Sequence, residues 1–335
     1  MRPGFLALPP GERRLYVEQA AVRLGRSAVV VEKDFWVCWL LALLFGSPFA
    51  PALVFKGGTS LAKVFGVIDR FSEDIDLSLA PAFLGLPAAG ADRTQADRWM
   101  TRAEAACGRA VETRVAPAVE TAAALGPRTG GWFEFQTDAR TPSPVHLFHY
   151  PSAQPGGFDY LARAVTLEFG SLTDQRPTGR HPVRPWLADA LPAALPDWRC
   201  EVVALEGERT FWEKATILHA EYHRPPGKAT PDRFSRHYAD TAALARHPLA
   251  ARALARPDLR DRVAAWKAQF FGSAWARYDL AVPGSFRLVP PAHRLGELRR
   301  DYRAMRDMYP TEPPPFDDVL ATLAALEREL NRPAA

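Results

Sequence analysis

Residues 55–79 read FKGGTSLAKVFGVIDRFSEDIDLSL, and the fold turns on how this stretch is divided. IDLSL (75–79) has the period of a strand, so Asp74 and Asp76 project together while Ile75 and Leu77 point to the opposite, buried face. The apolar run LVF (53–55) is a second short strand. Gly57 and Gly58 end it, and a helix is expected from Thr59 to about Phe65. Two carboxylates on one strand face suit Mg²⁺, which takes hard oxygen ligands and few of them from protein. By itself such a pair is unspecific. The glycine turn gives it direction: two glycines allow close backbone approach, and free N–H groups at a helix start attract phosphate oxygens. Thr59 or Ser60 either caps the helix or offers a hydroxyl to the same phosphate. A phosphate turn followed by a metal-type acidic pair is minimum equipment for handling a nucleoside triphosphate.

Two-metal phosphoryl transfer also asks for a third acid near the pair. Glu168 in AVTLEFG is the candidate, because it interrupts the apolar positions Val165, Leu167 and Phe169. Strand character is also read in GWFEFQT (131–137), VHLFHY (145–150) and EVVAL (201–205), the first two forming a meander. Residues 8–25 carry helical periodicity with proline at the start and glycine at the end. Ser27 stands where it would cap a second helix running to Gly46. Residues 81–94 are expected as a loop and 95–124 as helix, and Pro-rich segments fill 182–197. From Glu208 onward the chain reads as mostly helical. That shift implies an α+β chain with two domains, 1–205 and 206–335.

A length of 335 residues accommodates one large or two ordinary domains. The three cysteines, Cys38, Cys107 and Cys200, are odd in number and far apart, so neither a disulfide framework nor a CxxC metal site is indicated. The N-terminus lacks the pattern of a secretory signal, and FWVCWLLALLF (35–45) is too short to span a bilayer. A cytoplasmic protein with no membrane partner is expected. The net charge of +4 favours anionic partners only weakly.

Two downstream clusters add chemistry. In ERTFWEKATILHAEYHR (208–224), Glu213 and Lys214 begin a helix whose core face is Phe211, Ala215 and Leu218, leaving Lys214 as a compact positive charge of the kind used on triphosphates. In RFSRHYADTAAL (233–244), Arg233, Arg236, His237 and Asp240 fall at i, i+3, i+4 and i+7, the spacing of one helix face.

Taken in order, KGGTSLAKVF, RFSEDIDLSL, ERTFWEKATILH and RFSRHYADTAAL resemble the AbiEii-type nucleotidyltransferase toxin family, MenT-like toxins of type IV toxin–antitoxin systems. The resemblance runs from about residue 30 nearly to the C-terminus. It implies a polymerase-β-like nucleotidyltransferase fold with a mixed sheet and a mainly helical C-terminal lobe. It also implies that Lys56, Gly57, Gly58, Thr59, Ser60 and Arg236 bind nucleotide, and that Asp74 and Asp76 hold Mg²⁺. Lys214, Asp240 and Glu168 complete the expected catalytic set. Basic residues of the C-terminal lobe, including Arg287, Arg294, Arg299, Arg300 and Arg303, would follow an acceptor backbone. The implied reaction transfers NMP from an NTP to an acceptor hydroxyl, the 3′ end of tRNA in RNA-directed members, with a cognate antitoxin as partner. A protein or small-molecule hydroxyl is the alternative acceptor, and a nucleotide- or partner-binding protein without turnover is the alternative class.

Overall fold

The structure, a computed structural model, describes residues 4–87, 93–126, 128–129, 131–137, 144–156, 162–196 and 198–332. Part of the expected loop (88–92) and the segment between the first two strands of the meander (138–143) lie outside the described residues. The chain divides into two compact units. The first comprises Met1–Val64, Phe71–Gly90 and Arg98–Ala204, the second Phe65–Arg70, Ala91–Asp97 and Leu205–Ala335.

The first unit is built on a mixed seven-stranded sheet: β1 (Leu53–Lys56), β2 (Ile75–Leu79), β3 (Phe133–Thr137), β4 (Pro144–Phe148), β5 (Val165–Gly170), β6 (Thr178–Pro182) and β7 (Glu201–Leu205). Their order is β3-β4-β5-β2-β1-β7-β6. The three strands β3, β4 and β5 form an antiparallel meander, β5 runs parallel to β2, and β2 is antiparallel to β1. The acidic strand therefore lies in the middle of the sheet. Its apolar positions Ile75, Leu77 and Leu79 join Phe55, Val165, Leu167 and Phe169 in one core.

The helices of this unit are α1 (Gly4–Ala7), α2 (Pro10–Leu24), α3 (Ala28–Phe45), α4 (Gly57–Lys63), α5 (Arg93–Ala110, its first residues excepted), α6 (Ala116–Ala123) and α7 (Trp186–Ala190). Between α5 and α6 the helix read at 95–124 widens to π geometry over Val111–Val115. The distortion lies beside Pro117, which has no N–H to continue the ladder. Apolar on nearly every side, α3 is accordingly buried almost throughout. Trp36 and Trp39 pack edge to face at 5.3 Å and meet Phe148 of β4 at 5.7 and 5.5 Å. Among the described residues no helix is long and apolar enough to cross a membrane. Ser27 does occupy the N-cap position of α3, but its side chain makes no cap bond. Ser27→Ala should therefore change stability by less than about 0.5 kcal/mol, below the usual loss for a working cap. A drop in the urea midpoint equivalent to 1 kcal/mol or more would contradict this.

Three consecutive charges near the start of α3 are buried, and each secures a different segment. Glu32 accepts from the Ser152 hydroxyl and the Ala153 N–H, both at 2.6 Å. Lys33 pairs with Glu73 and donates to the Ala162 carbonyl at 3.0 Å. Asp34 pairs with Lys63 at 2.7 Å and accepts from the Trp186 N–H at 2.7 Å. Two of these contacts bear on the functional stretch. Lys63 ends the helix that follows the glycine turn, and Glu73 directly precedes Asp74.

The second unit is helical: α8 (Gly207–Tyr222), α9 (Ser235–Arg246), α10 (Leu249–Leu254), α11 (Pro257–Phe270), α12 (Leu295–Ala304) and α13 (Phe316–Leu330). Helix α8 packs on α9, α10 and α11, while α9 also meets α12 and α13. Phe211, Ala215 and Leu218 are fully buried, as their spacing implies. The helix starts at Gly207, six residues before the expected start at Glu213.

Candidate active site

Within the first unit, β1 passes straight into α4. The change of direction falls on Gly57, whose φ of +80° is a conformation that L-residues rarely adopt. A second constraint coincides with the first: a Cβ at Gly57 would lie 1.9 Å from Oδ2 of Asp76. The glycine turn and the acidic strand are thus in direct contact.

The next two residues brace that contact. The Thr59 hydroxyl donates to the main-chain oxygen of Asp74 and lies 2.9 Å from the Ser72 hydroxyl. The Ser60 hydroxyl donates to the Gly57 carbonyl at 2.9 Å. Both side chains are buried, so these protons are spent on holding the turn. Lys56, Gly57 and Gly58 are the partly exposed residues of the turn.

Asp74 stands one residue ahead of β2, which begins at Ile75. Asp76 is paired in register with Lys56 on one side and with Glu168 on the other. Paired positions share a sheet face, so a lysine and two carboxylates form a row across three central strands. The Lys56 Nζ lies 3.9 Å from Asp76 Oδ1. Glu168 is exposed. The carboxylate oxygens of Asp76 and Glu168 are hard donors of the kind Mg²⁺ takes. Among the described residues no three acids, histidines or cysteines already form a metal-holding group.

The second unit gathers Arg70, Lys214, His237 and Asp240. Asp240 is 1% exposed and takes a two-pronged contact from Arg70, Nε to Oδ1 at 2.7 Å and Nη2 to Oδ2 at 2.9 Å. Lys214 donates to the same Oδ2 at 2.8 Å and lies 3.3 Å from Nδ1 of His237. Burial alone would raise the Asp240 carboxyl, but the charges of Arg70 and Lys214 outweigh it and hold the group well below the usual carboxylate range. Lys214 is lowered by burial, with Arg70 and Arg236 adding to the effect against Asp240. His237 is lowered further, by burial and then by Lys214 and Arg236. It is neutral near pH 7, consistent with an Nδ1 that accepts from Lys214. One carboxylate thus serves two buried cations.

Arg233 departs from the expected helix face. It precedes α9, with φ at +59°. The physical reason is the cap of α9. The Asp301 carboxylate accepts from the N–H groups of Arg233 and Ser235, both at 2.7 Å, and from the Ser235 hydroxyl. The helix therefore starts at Ser235, and Arg236, His237 and Asp240 share its turns without Arg233. Arg294 is also withdrawn from the exposed basic set. It is 4% exposed and donates to the carbonyls of Pro225 and Lys228 at 2.8 and 2.6 Å. Arg70 is the residue the sequence reading left without a role. Its signal was its place at the head of RFSEDIDLSL, and its partner lies 170 residues away.

Among curated proteins nothing matches this chain. Among solved structures, MenT4, a nucleotidyltransferase toxin from Mycobacterium tuberculosis H37Rv, is similar at a TM-score of 0.45 and 17% identity, over 92% of this chain and 98% of that one. A family model described as "Nucleotidyl transferase AbiEii toxin, Type IV TA system" matches residues 39–322. That span takes in the glycine turn, the acidic strand and the Lys214 and Asp240 helices, and the chain belongs to the AbiEii family of nucleotidyltransferase toxins.

Proposed function

We propose that this nucleotidyltransferase transfers NMP from an NTP to the 3′-hydroxyl of an RNA acceptor, tRNA in the first instance, with release of pyrophosphate. The observation that carries the proposal is the row Lys56–Asp76–Glu168, pressed against the glycine turn at Gly57. In this reading the backbone N–H groups after Gly57 orient the triphosphate. Thr59 and Ser60 contribute by keeping the turn closed on Asp74. Asp74 and Asp76 would hold Mg²⁺, which when bound draws charge from the α-phosphate and the leaving oxygen. Mg²⁺ is commonly held through one or two carboxylates plus substrate phosphates.

Glu168 takes the proton of the attacking hydroxyl as the new P–O bond forms and the bond to pyrophosphate breaks. Lys214 and Arg236 are assigned to the charge that grows on pyrophosphate, supported by the two buried cations that Asp240 serves. Asp240 holds Lys214 in its ammonium form and sets its direction. The enzyme acts in the cytoplasm beside a cognate antitoxin.

The test offers the protein each of the four α-labelled NTPs together with either total RNA or a protein extract. Label is expected in tRNA-sized RNA, dependent on added Mg²⁺, with pyrophosphate released in equal amount. Label in the protein fraction alone would move the acceptor to a protein hydroxyl. NTP binding without label in any fraction would overturn the catalytic reading.

A further inference from the structure

A cavity of about 500 Å³ opens in the second unit, lined in part by Arg299 and Arg303 of the basic set expected to follow an acceptor. One wall is α12 and its extension, with Arg299, Tyr302, Arg303 and Arg306. The other is the segment from Glu312 to Asp317, including three consecutive prolines. Prolines restrict this wall before any ligand arrives. The Tyr302 hydroxyl ties it to α12 by donating to the Pro314 carbonyl at 2.9 Å. The cavity is therefore preformed.

Its charge balance favours an anion. Arg299 pairs with Asp317, and Arg306 with Glu312 at 2.8 Å. Both acids are about three-quarters exposed or more, so these pairs contribute little and exchange readily for a stronger acceptor. Arg303 is exposed and has no ion pair among the described residues. Nε of Arg299 is shielded from solvent yet finds no hydrogen-bond partner among the described residues. Three guanidinium groups thus face two loosely held carboxylates.

Position adds a second argument. Tyr302 and Phe316 pack at 5.0 Å between ring centroids beneath the cavity, and Tyr309 lies 6.3 Å from Tyr302. The Tyr309 hydroxyl is raised by burial and also senses Asp240 and Arg70. The volume lies in the range of small-ligand sites, enough for a nucleotide unit and too small for a folded peptide element.

We propose that this cavity seats a phosphodiester of the RNA acceptor, gripped by Arg299, Arg303 and Arg306. The proposal rests on the reading of RNA as acceptor. Guanidinium forks match phosphate oxygens in pairs and read no base, so the grip is independent of sequence.

Binding of a short fluorescein-labelled single-stranded RNA to the full-length protein, followed by anisotropy over a salt series without NTP, tests it. Arg303→Ala combined with Arg306→Ala should weaken binding about tenfold and reduce the log–log salt slope by about one to two. Affinity for a fluorescent NTP should stay unchanged. Arg303→Ala alone removes an exposed, unpaired side chain and should weaken RNA binding about threefold without touching the fold. Arg303→Lys should restore the salt slope but not the full affinity. Wild-type protein that binds no RNA would remove the acceptor reading together with the cavity. Wild-type binding that both alanine variants retain in full would overturn the cavity alone. Loss of NTP affinity in place of RNA affinity would reassign the cavity to free nucleotide and overturn the proposal as well.

Discussion

Replacing Asp240 with alanine is expected to lower folding stability by about 3–5 kcal/mol, the range for breaking a buried ion pair from one side. The carboxylate is enclosed and serves Arg70 and Lys214 together. Its loss leaves two buried cations facing each other, beside a histidine too strongly lowered to take part. The urea midpoint should fall with little change in slope. Asp240→Asn, which keeps a hydrogen-bond acceptor but not the charge, should fall between the two. A midpoint for the alanine variant within the equivalent of 1 kcal/mol of wild type would show that the cluster is not a structural element.

The pH dependence supplies an independent check with a defined sign. Asp240 has a folded-state pKa below its unfolded value of about 3.9, so its contribution is complete above that value and is lost as pH falls through the folded pKa. The stability gap between wild type and Asp240→Ala should therefore hold from neutral pH to about 5 and narrow in more acid solution. At alkaline pH the gap should narrow for a different reason. Lys214 is already lowered by burial and by Arg70. Without Asp240 it falls further, and shedding its proton relieves the variant as pH rises.

Much of this architecture can be read from the chain because its determinants are local. IDLSL alternates as strands do, EVVAL is a short apolar run, and the structure gives both the bounds read from sequence. The run FWVCWLLALLF (35–45) is too apolar for anything but a mostly buried helix. What escaped the reading has distant or silent determinants. β6 (TGRHP) is a polar edge strand with no apolar alternation, defined by its neighbour β7. The charges Glu32, Lys33 and Asp34 reach partners in five separate places along the chain, at Lys63, Glu73, Ser152–Ala153, Ala162 and Trp186, which no window of sequence contains. Arg233 fits a helical stripe on spacing alone, yet a carboxylate on another helix, Asp301, sets the start of α9 after it. At the site, spacing identified residue types, whereas register and the close approach of Gly57 to Asp76 are properties of paired strands. Arg70 belongs to the same class: a loop residue whose importance is visible only beside Asp240.

That close approach yields the second large effect. Gly57→Ala should reduce nucleotide transfer by about a hundredfold or more, the scale expected when a reacting group is displaced by an ångström or so. Two independent costs converge on one methyl group. The φ of +80° becomes strained, at about 1–2 kcal/mol. The new Cβ would also lie 1.9 Å from the Asp76 carboxylate, which must turn away from its place between Lys56 and Glu168. Asp76→Asn provides the reference: it keeps the shape, removes the charge, and should lower transfer about a thousandfold while the protein remains folded. If Gly57 acts through Asp76, the two changes cannot be additive. In the Asp76→Asn background, Gly57→Ala should cost little further activity, although it still costs stability. Two results would count against this chain of cause. One is Gly57→Ala retaining transfer within twofold of wild type. The other is a double variant whose activity equals the product of both single losses, placing the role of Gly57 in the turn alone.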